Sequence, residues 1–227
     1  MKIEAIKLLS GTHADTATTG HGCFMNVISY LNGEAQITDK STCVCPTIRL
    51  IAIWLNDFAD DELRQRMVPF ILRAFGSATD NKVEMERRLK AVVKYAEFNA
   101  RLAAYFAKSA GYAGYAVEYA KSAVGYAESA VGYAKSAVGY AVESAQYAKY
   151  AQYAQSAAES AAKSAQYAAQ YAKSAGYAAM KEASFQAGLD FLDEVCPPLE
   201  ALDQVILSRI TELQKLNEAM PTTEEVK

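Results

Sequence analysis

Residues 98–147 read FNARLAAYFAKSAGYAGYAVEYAKSAVGYAESAVGYAKSAVGYAVESAQY, and this stretch decides how the chain folds. The heptad is written almost identically twice, as GYAESAV at 125–131 and GYAKSAV at 132–138. A seven-residue period with small apolar residues inside it is typical of supercoiled α-helices. An aromatic residue returns at every seventh position, at Phe98, Tyr105, Tyr112, Tyr119, Tyr126, Tyr133, Tyr140 and Tyr147.

The heptad predicts a helix with one continuous apolar face. With Ala127 at position a, Ala130 takes d, Val131 takes e and Tyr133 takes g, and these four positions share one side of a helix. Alanine at a and d lets a partner helix approach closely. Tyrosines one heptad apart lie about 10.5 Å from each other along one helix, so ring contacts need an interleaving partner. The predicted assembly interface comprises Tyr105, Tyr112, Tyr119, Tyr126, Tyr133, Tyr140, Tyr147, Ala127, Ala130, Ala134 and Ala137.

Glycines interrupt this helix-favouring segment, among them Gly111, Gly125, Gly132 and Gly139. Each costs about 1 kcal/mol relative to alanine in a helix interior. One interpretation is that these glycines arose by sequence drift within a repetitive segment. The other is close packing of the Gly/Ser face against a second layer of helices, which would give a bundle or a fibre.

The predicted helical arm spans residues 79–196. It contains no proline before Pro197, and residues 79–81 offer Thr, Asp and Asn as helix caps. Such a segment forms either one rod of roughly 150 Å or an antiparallel hairpin. We favour a hairpin with its turn within 142–160, because the clean heptad ends at Tyr147 and alanines at steps of three follow.

Residues 1–78 predict a small helical head domain. A loop rich in Thr and Gly at 13–22 precedes a short helix at 23–31. Asn32-Gly33 closes that helix in the manner of a left-handed cap.

Two further helices are predicted in the head domain. Pro46 suits the first turn of one of them. The other begins after Asp60-Asp61, whose carboxylates favour a helix N-terminus, and it ends at Gly76 with a kink near Pro69. The expected core comprises Trp54, Ile48, Leu50, Ile51, Ile53, Leu55, Met67, Phe70, Ile71, Leu72 and Phe75.

Residues 197–227 predict a C-terminal amphipathic helix and a tail. Cys196-Pro197-Pro198 interrupts the long helix, and apolar residues then recur at steps of three and four up to Met220. The expected fold is therefore all-α: a small helical head, a long Ala/Tyr heptad-repeat coiled coil, as an antiparallel hairpin or an extended rod, and this closing helix.

The head carries a series of short motifs: Gly11-Thr-His13, Gly22-Cys23-Phe-Met25, Cys43-Val-Cys45-Pro46, Leu55-Asn56-Asp57, Arg64-Gln65-Arg66 and Gly76. This series is similar to the N-terminal region of a family of bacterial and bacteriophage proteins without an established activity. The resemblance implies a shared architecture, with an Ala-rich, aromatic-punctuated segment ahead of a closing helix, and it brings no catalytic residues. Family members often have Asp-His-Pro before the Cys-x-Cys-Pro element, where this chain has Thr38 to Thr42, so a family metal site that used this His would lack that ligand here.

The cysteines and histidines of the head are the candidates for chemistry. Cys23, Cys43, Cys45 and His13 or His21 are the ligand types of a Cys₃His zinc site, although the Cys-x-Cys spacing is tighter than usual. Cys23 with either histidine is also a nucleophile–base candidate that lacks an orienting third residue. Because the number of cysteines is even, disulfide bonds are a further possibility. We favour buried reduced thiols and histidines that are plain surface residues.

Composition excludes several functional classes. A net charge of −3 gives no support for nucleic-acid binding. No hydrophobic run approaches 18 residues, so no membrane span is expected. The N-terminus lacks a signal-peptide pattern, and a cytoplasmic location is expected. No phosphate loop and no small-molecule site is evident.

Two functional interpretations remain. The first is a non-enzymatic structural protein without a cofactor, whose arm drives homo-oligomer or filament formation. The second is a zinc-binding or thiol-dependent enzyme or sensor in the head, with the arm as a spacer.

Overall fold

The computed structural model describes residues 6–109, 121–122, 125–126, 128–129, 132, 156, 160, 174–198 and 204–219. This part of the chain is mostly helical and contains no strand, apart from one isolated bridge between Leu8 and Gly22. The prediction of an all-α fold is confirmed. Contacts divide the chain into two compact units: unit 1 comprises Met1–Ala78 and Cys196–Lys227, and unit 2 comprises Thr79–Val195.

Unit 1 begins with two short helices. Helix α1, Thr16–Thr19, is one helical turn inside the predicted 13–22 loop, and α2 spans Phe24–Asn32. Gly33 ends α2 with φ 70°, and its N–H donates to the carbonyls of Ser29 and Tyr30. The prediction of a left-handed cap is confirmed, because the cap needs a positive φ that glycine adopts without strain.

The next helices differ from the prediction at one point. Helix α3 spans Pro46–Phe58 and has its proline in the first turn, as predicted. The single helix predicted after Asp60 is wrong, because the structure has two, α4 at Asp61–Gln65 and α5 at Val68–Ala74. Pro69 accounts for the break, since proline lacks an N–H and clashes with the carbonyl four residues earlier.

The core of unit 1 is formed by apolar side chains from α2, α3 and α5. Trp54 is buried and its ring stacks on Phe58 at 4.7 Å. Four residues predicted as core are only half-buried: Leu50, Ile53, Phe70 and Phe75. The Arg73 guanidinium covers the Phe70 ring. The fully buried side chains include Phe24, Met25, Ile28, Leu31, Ile48, Ile51, Leu55, Met67 and Ile71.

The C-terminal helix α8, Gln204–Ala219, packs on α2 within unit 1. The Tyr30 hydroxyl donates to the Glu212 carboxylate at 2.6 Å, and the Arg209 guanidinium donates to the Leu31 carbonyl at 2.7 Å. The buried apolar residues of α8 are Ile206, Ile210 and Leu213. The closing helix is therefore an integral part of unit 1.

Unit 2 contains the long helices α6, Lys82–Ser109, and α7, Ser174–Val195. The Asn81 side chain accepts hydrogen bonds from the N–H groups of residues 83 and 84, so it caps α6. None of the described helices combines the length and the apolar character that crossing a bilayer requires.

Helices α6 and α7 pack against each other in antiparallel directions. Near the middle of α6, Lys94 Nζ lies 2.8 Å from Glu194 Oε1, close to the end of α7. Further along α6, Asn99 Oδ1 accepts from the Ser184 hydroxyl at 2.6 Å, ten residues earlier in α7. The two ends of the arm thus lie side by side, whereas the turn predicted within 142–160 falls outside the described residues.

Candidate functional site

The four cysteines are free thiols, and three of them are buried: Cys23, Cys45 and Cys196. Cys23 is the N-cap of α2, where its Sγ accepts from the Asn26 N–H at 3.4 Å. Cys45 occupies the corresponding position before α3. The Cys43 Sγ is half-buried and lies 3.2 Å from the Ser41 hydroxyl.

The electrostatic environment of Cys23 opposes thiol chemistry. Burial raises the pKa of the Cys23 thiol to about 11, so the thiol stays protonated at neutral pH. The thiolate is the form that attacks electrophiles and binds metals. Burial, and then the charge of Lys7, lower the pKa of His21. The neutral His21 imidazole has a nitrogen that can accept a proton. The Cys23 thiol, two residues later in the sequence, nevertheless stays in its protonated, unreactive form.

The histidines serve local structure. Both are partly buried. The His13 Nε2–H donates to the Ser10 carbonyl at 2.8 Å, and its backbone N–H donates to Asn26 Oδ1 at 2.7 Å. Within the described part of unit 1, no hydrogen bond of either histidine reaches Cys23.

The proposed zinc ligands are not brought together. Among the described residues, no group of three or more His, Cys, Asp or Glu side chains is close enough to hold a metal ion. Cys23, Cys43, Cys45 and His13 are all within that part of the chain. They occupy helix starts and a loop, where their contacts are with neighbouring backbone and hydroxyl groups.

We expect the thiols to react in an order that follows burial. With Ellman's reagent at pH 8, native Cys43 should react first, while Cys23 should be at least about a hundredfold slower because only about a thousandth of it is thiolate. Cys45 and Cys196 should also react slowly. The measurement is the rate of absorbance change, with the labelled residue assigned by peptide mass spectrometry.

Guanidinium-unfolded protein is the control, in which all four thiols should react at similar rates. Fast labelling of native Cys23 would contradict this expectation and would return thiol-dependent catalysis to consideration.

A buried polar network, which the sequence did not predict, holds the N-terminal segment onto unit 1. Asn56 accepts from the Phe24 N–H at 3.1 Å and donates to the Leu9 carbonyl at 2.8 Å. Gln65 pairs with both the N–H and the carbonyl of Leu8. Arg64 donates to the Asn56 carbonyl at 2.8 Å. The only signal in the sequence was the pair of polar residues at 56–57, at the end of an otherwise apolar helix, and the polar run at 64–66. The role of Asn56, Arg64 and Gln65 here is to satisfy backbone groups.

The aromatic ladder is the second candidate site. Phe98 is 41% exposed, Tyr105 is 66% exposed and Tyr126 is 43% exposed. They are three of the five large hydrophobic side chains that are exposed in the described part of the chain. The other residues of the predicted interface lie outside the described residues: Tyr112, Tyr119, Tyr133, Tyr140, Tyr147, Ala127, Ala130, Ala134 and Ala137.

The described glycines of the repeat are open to their surroundings. Among the residues that the structure describes, no atom lies within 4 Å of a Cβ placed at Gly125 or Gly132. No second layer from that part of the chain packs closely on these two positions, so both interpretations stay open: sequence drift, and close packing of the Gly/Ser face against a second layer of helices.

A groove of about 520 Å³ runs between α6 and α7 within unit 2. Its charged and polar lining consists of Lys94 on α6 and Gln186, Asp190 and Glu194 on α7. Its apolar lining consists of Ala91, Tyr95, Phe98, Ala183, Ala187 and Phe191. The alanines keep the groove shallow and open, so an apolar surface of complementary shape can reach its floor.

No family model, curated protein or solved structure matches this chain. The resemblance suggested by the N-terminal motifs therefore stays an expectation. The function has to be argued from the residues of the head and the arm themselves.

Proposed function

We propose that this is a non-enzymatic structural protein whose Ala/Tyr-rich helical arm associates with further copies of itself. The observation that carries the proposal is the exposure of aromatic side chains that recur at multiples of seven residues. Phe98, Tyr105 and Tyr126 all belong to this series. The partner is the same chain, and no cofactor, nucleic acid, membrane or small-molecule substrate is invoked.

The energetic case rests on the free energy of burying these rings. Covering a large apolar side chain contributes about 1.5–3 kcal/mol, and aromatic residues dominate the energetics of many interfaces. A ring that is 66% exposed, as at Tyr105, retains most of that free energy for association. Because the ring recurs along the arm, an interface that covers one ring extends to the next.

The repeated sequence also supports association between identical chains. Every copy presents the same spacing of rings, so two arms match each other over several heptads. A two-fold contact of this kind closes into a dimer, whereas a head-to-tail contact continues into a filament. Coiled-coil packing of the arm is part of this proposal.

We expect Tyr105→Ser and Tyr126→Ser to weaken self-association by about tenfold or more each, because each removes a buried ring from the assembly. The measurement is sedimentation velocity over a concentration series of the full chain. Negative-stain electron microscopy of the same samples would distinguish filaments from small closed particles.

Val83→Ser is the matched control. Val83 is 78% exposed on α6, the helix that carries Tyr105, but lies outside the seven-residue series, so its replacement should leave association unchanged. Wild-type protein that stays monomeric over the whole micromolar range would refute the proposed function. Equal losses in the control and the tyrosine variants would show that the ladder has no special role.

A further inference from the structure

The two helices that form the groove carry opposite charge. Helix α6 contains seven Lys and Arg residues and three Glu residues, whereas α7 contains one Lys and four Asp and Glu residues. One wall of the groove is therefore basic, with Lys94, and the other is acidic, with Asp190 and Glu194.

The exposed residues beside the groove follow the helix repeat. On α6, Lys94, Phe98, Arg101 and Tyr105 are spaced by four, three and four residues, which places them on one stripe of the helix. The side chains of Lys94 and Arg101 are 67% and 83% exposed. This stripe combines aromatic rings with positive charge, next to an apolar floor.

We infer that two copies of the chain pair face to face over this groove, about a two-fold axis that runs along the helices. In this arrangement α6 of each copy lies against α7 of the other. The inference rests on the proposed function, and it specifies the surface, the partner and the relative orientation. The product is a four-helix arrangement in which every neighbouring pair of helices is antiparallel.

Charge selects this arrangement over the alternative. If α6 lay against α6 of the partner, basic stripes would face each other and acidic walls would do the same. The crossed arrangement instead places the Lys94 stripe of one copy against the Asp190 wall of the other, twice. Exposed ion pairs of this kind contribute little affinity, but they penalise the wrong pairing and fix the orientation.

The positions of the charged groups along the helices also agree with a two-fold axis parallel to the helices. Within one copy, Lys94 lies level with Glu194, to which it is bonded at 2.8 Å. A two-fold axis parallel to the helices preserves these levels, so Lys94 meets the acidic wall of the partner at the same height. Phe98, which lines the groove and is 41% exposed, then packs against the partner's apolar floor.

Reversing the charge on one wall at a time tests the arrangement. The acidic variant is Lys94→Glu with Arg101→Glu, and the basic variant is Asp190→Lys with Glu194→Lys. Each variant alone should associate about 10- to 100-fold more weakly than the wild type, because its own two walls now repel across the interface. An equimolar mixture of the two should form a 1:1 heterodimer, measured by native mass spectrometry and sedimentation equilibrium.

A matched control separates a local effect from a change in net charge. Glu182→Lys with Asp193→Lys changes the charge of α7 by the same amount, at exposed positions that do not line the groove. This control should associate as the wild type does.

The outcomes separate this inference from the proposed function. If the wild type associates and both wall variants associate equally well, the crossed arrangement is overturned while self-assembly stands. A wild type that is monomeric overturns both. If the variants fail to fold by circular dichroism, wild-type association measured against sodium chloride concentration decides, because crossed charges predict weakening with salt and an unchanged or stronger association contradicts them.

Discussion

Replacing Asn56 by leucine is expected to destabilise unit 1 by about 2–5 kcal/mol, because it leaves one buried and one partly buried backbone group without partners, at about 1–3 kcal/mol each. The groups are the Phe24 N–H and the Leu9 carbonyl, which the Asn56 side chain bonds at 3.1 and 2.8 Å. Leucine keeps the branched shape of asparagine but has no polar atoms, so both hydrogen bonds are lost, and its larger methyl groups add a packing cost at this buried position. Such a loss is a large fraction of the stability of an ordinary domain.

The measurement is urea unfolding followed by tryptophan fluorescence. The chain has one tryptophan, Trp54, which is buried two residues before Asn56, so its emission reports on unit 1. Asn56→Asp is an informative intermediate, since a carboxylate still accepts from the Phe24 N–H but cannot donate to Leu9.

Gln36→Leu serves as the control, because Gln36 is exposed in the same unit and its replacement should change stability by less than about 0.5 kcal/mol. An unfolding midpoint for Asn56→Leu equal to that of this control would mean that the polar network contributes nothing to the stability of unit 1.

The sequence predicted those features of unit 1 that depend on local backbone rules. The cap at Gly33 and the helix start at Pro46 follow from the conformations that glycine and proline allow. The break between α4 and α5 was predicted only as a kink near Pro69. How many residues before Pro69 leave the helix also depends on the packing of Met67, which is fully buried in the core.

Features that depend on distant residues were not predictable in this way. The Asn56 network joins segments 32 and 47 residues apart, and no periodicity indicates such a pairing. The burial that holds the Cys23 thiol in its protonated form also comes from tertiary packing. The sequence motif Gly22-Cys23-Phe-Met25 showed that residue 23 is a cysteine, but it did not indicate how the surrounding packing would affect the thiol.

The arm shows the same distinction. The seven-residue aromatic step was visible in the sequence, and the exposure of Tyr105 agrees with a surface available for assembly. The groove was not predicted, because its two walls come from helices that are more than 60 residues apart in the chain. Composition alone does not tell which α6 residue faces which α7 residue.

A buried polar contact joins α6 and α7, and removing it is expected to be the second large effect. The Ser184 hydroxyl donates to Asn99 Oδ1 at 2.6 Å, and Asn99 Nδ2 donates to the Tyr95 carbonyl at 2.9 Å. Asn99→Ala should destabilise unit 2 by about 2–4 kcal/mol, through a small cavity and an unpaired hydroxyl. The measurement is hydrogen exchange of α6 and α7 peptides by mass spectrometry, which reports on unit 2 without relying on Trp54.

Ser184→Ala alone should cost less, because it leaves one amide oxygen unpaired and little empty volume. A double-mutant cycle with Asn99→Ala should give a coupling of about 1–2 kcal/mol between the two residues. Glu182→Gln on α7 is the control, because Glu182 is exposed and does not line the groove, and its peptides should exchange as in the wild type. A coupling near zero would contradict the contribution of this contact to stability.

The variant Asn99→Leu with Ser184→Ala separates stability from register. Replacing a buried polar pair by apolar side chains is often neutral or stabilising, so α6 and α7 should remain as protected from exchange as in the wild type. A buried asparagine between helices, however, specifies register where alanine-rich surfaces accept several. If this contact fixes the level of Lys94 against Asp190, the apolar variant should be stable yet self-associate more weakly than the wild type in sedimentation velocity. Full stability with undiminished association would instead place the register in the surrounding packing of Tyr95 and Phe191, whose rings lie 6.0 Å apart.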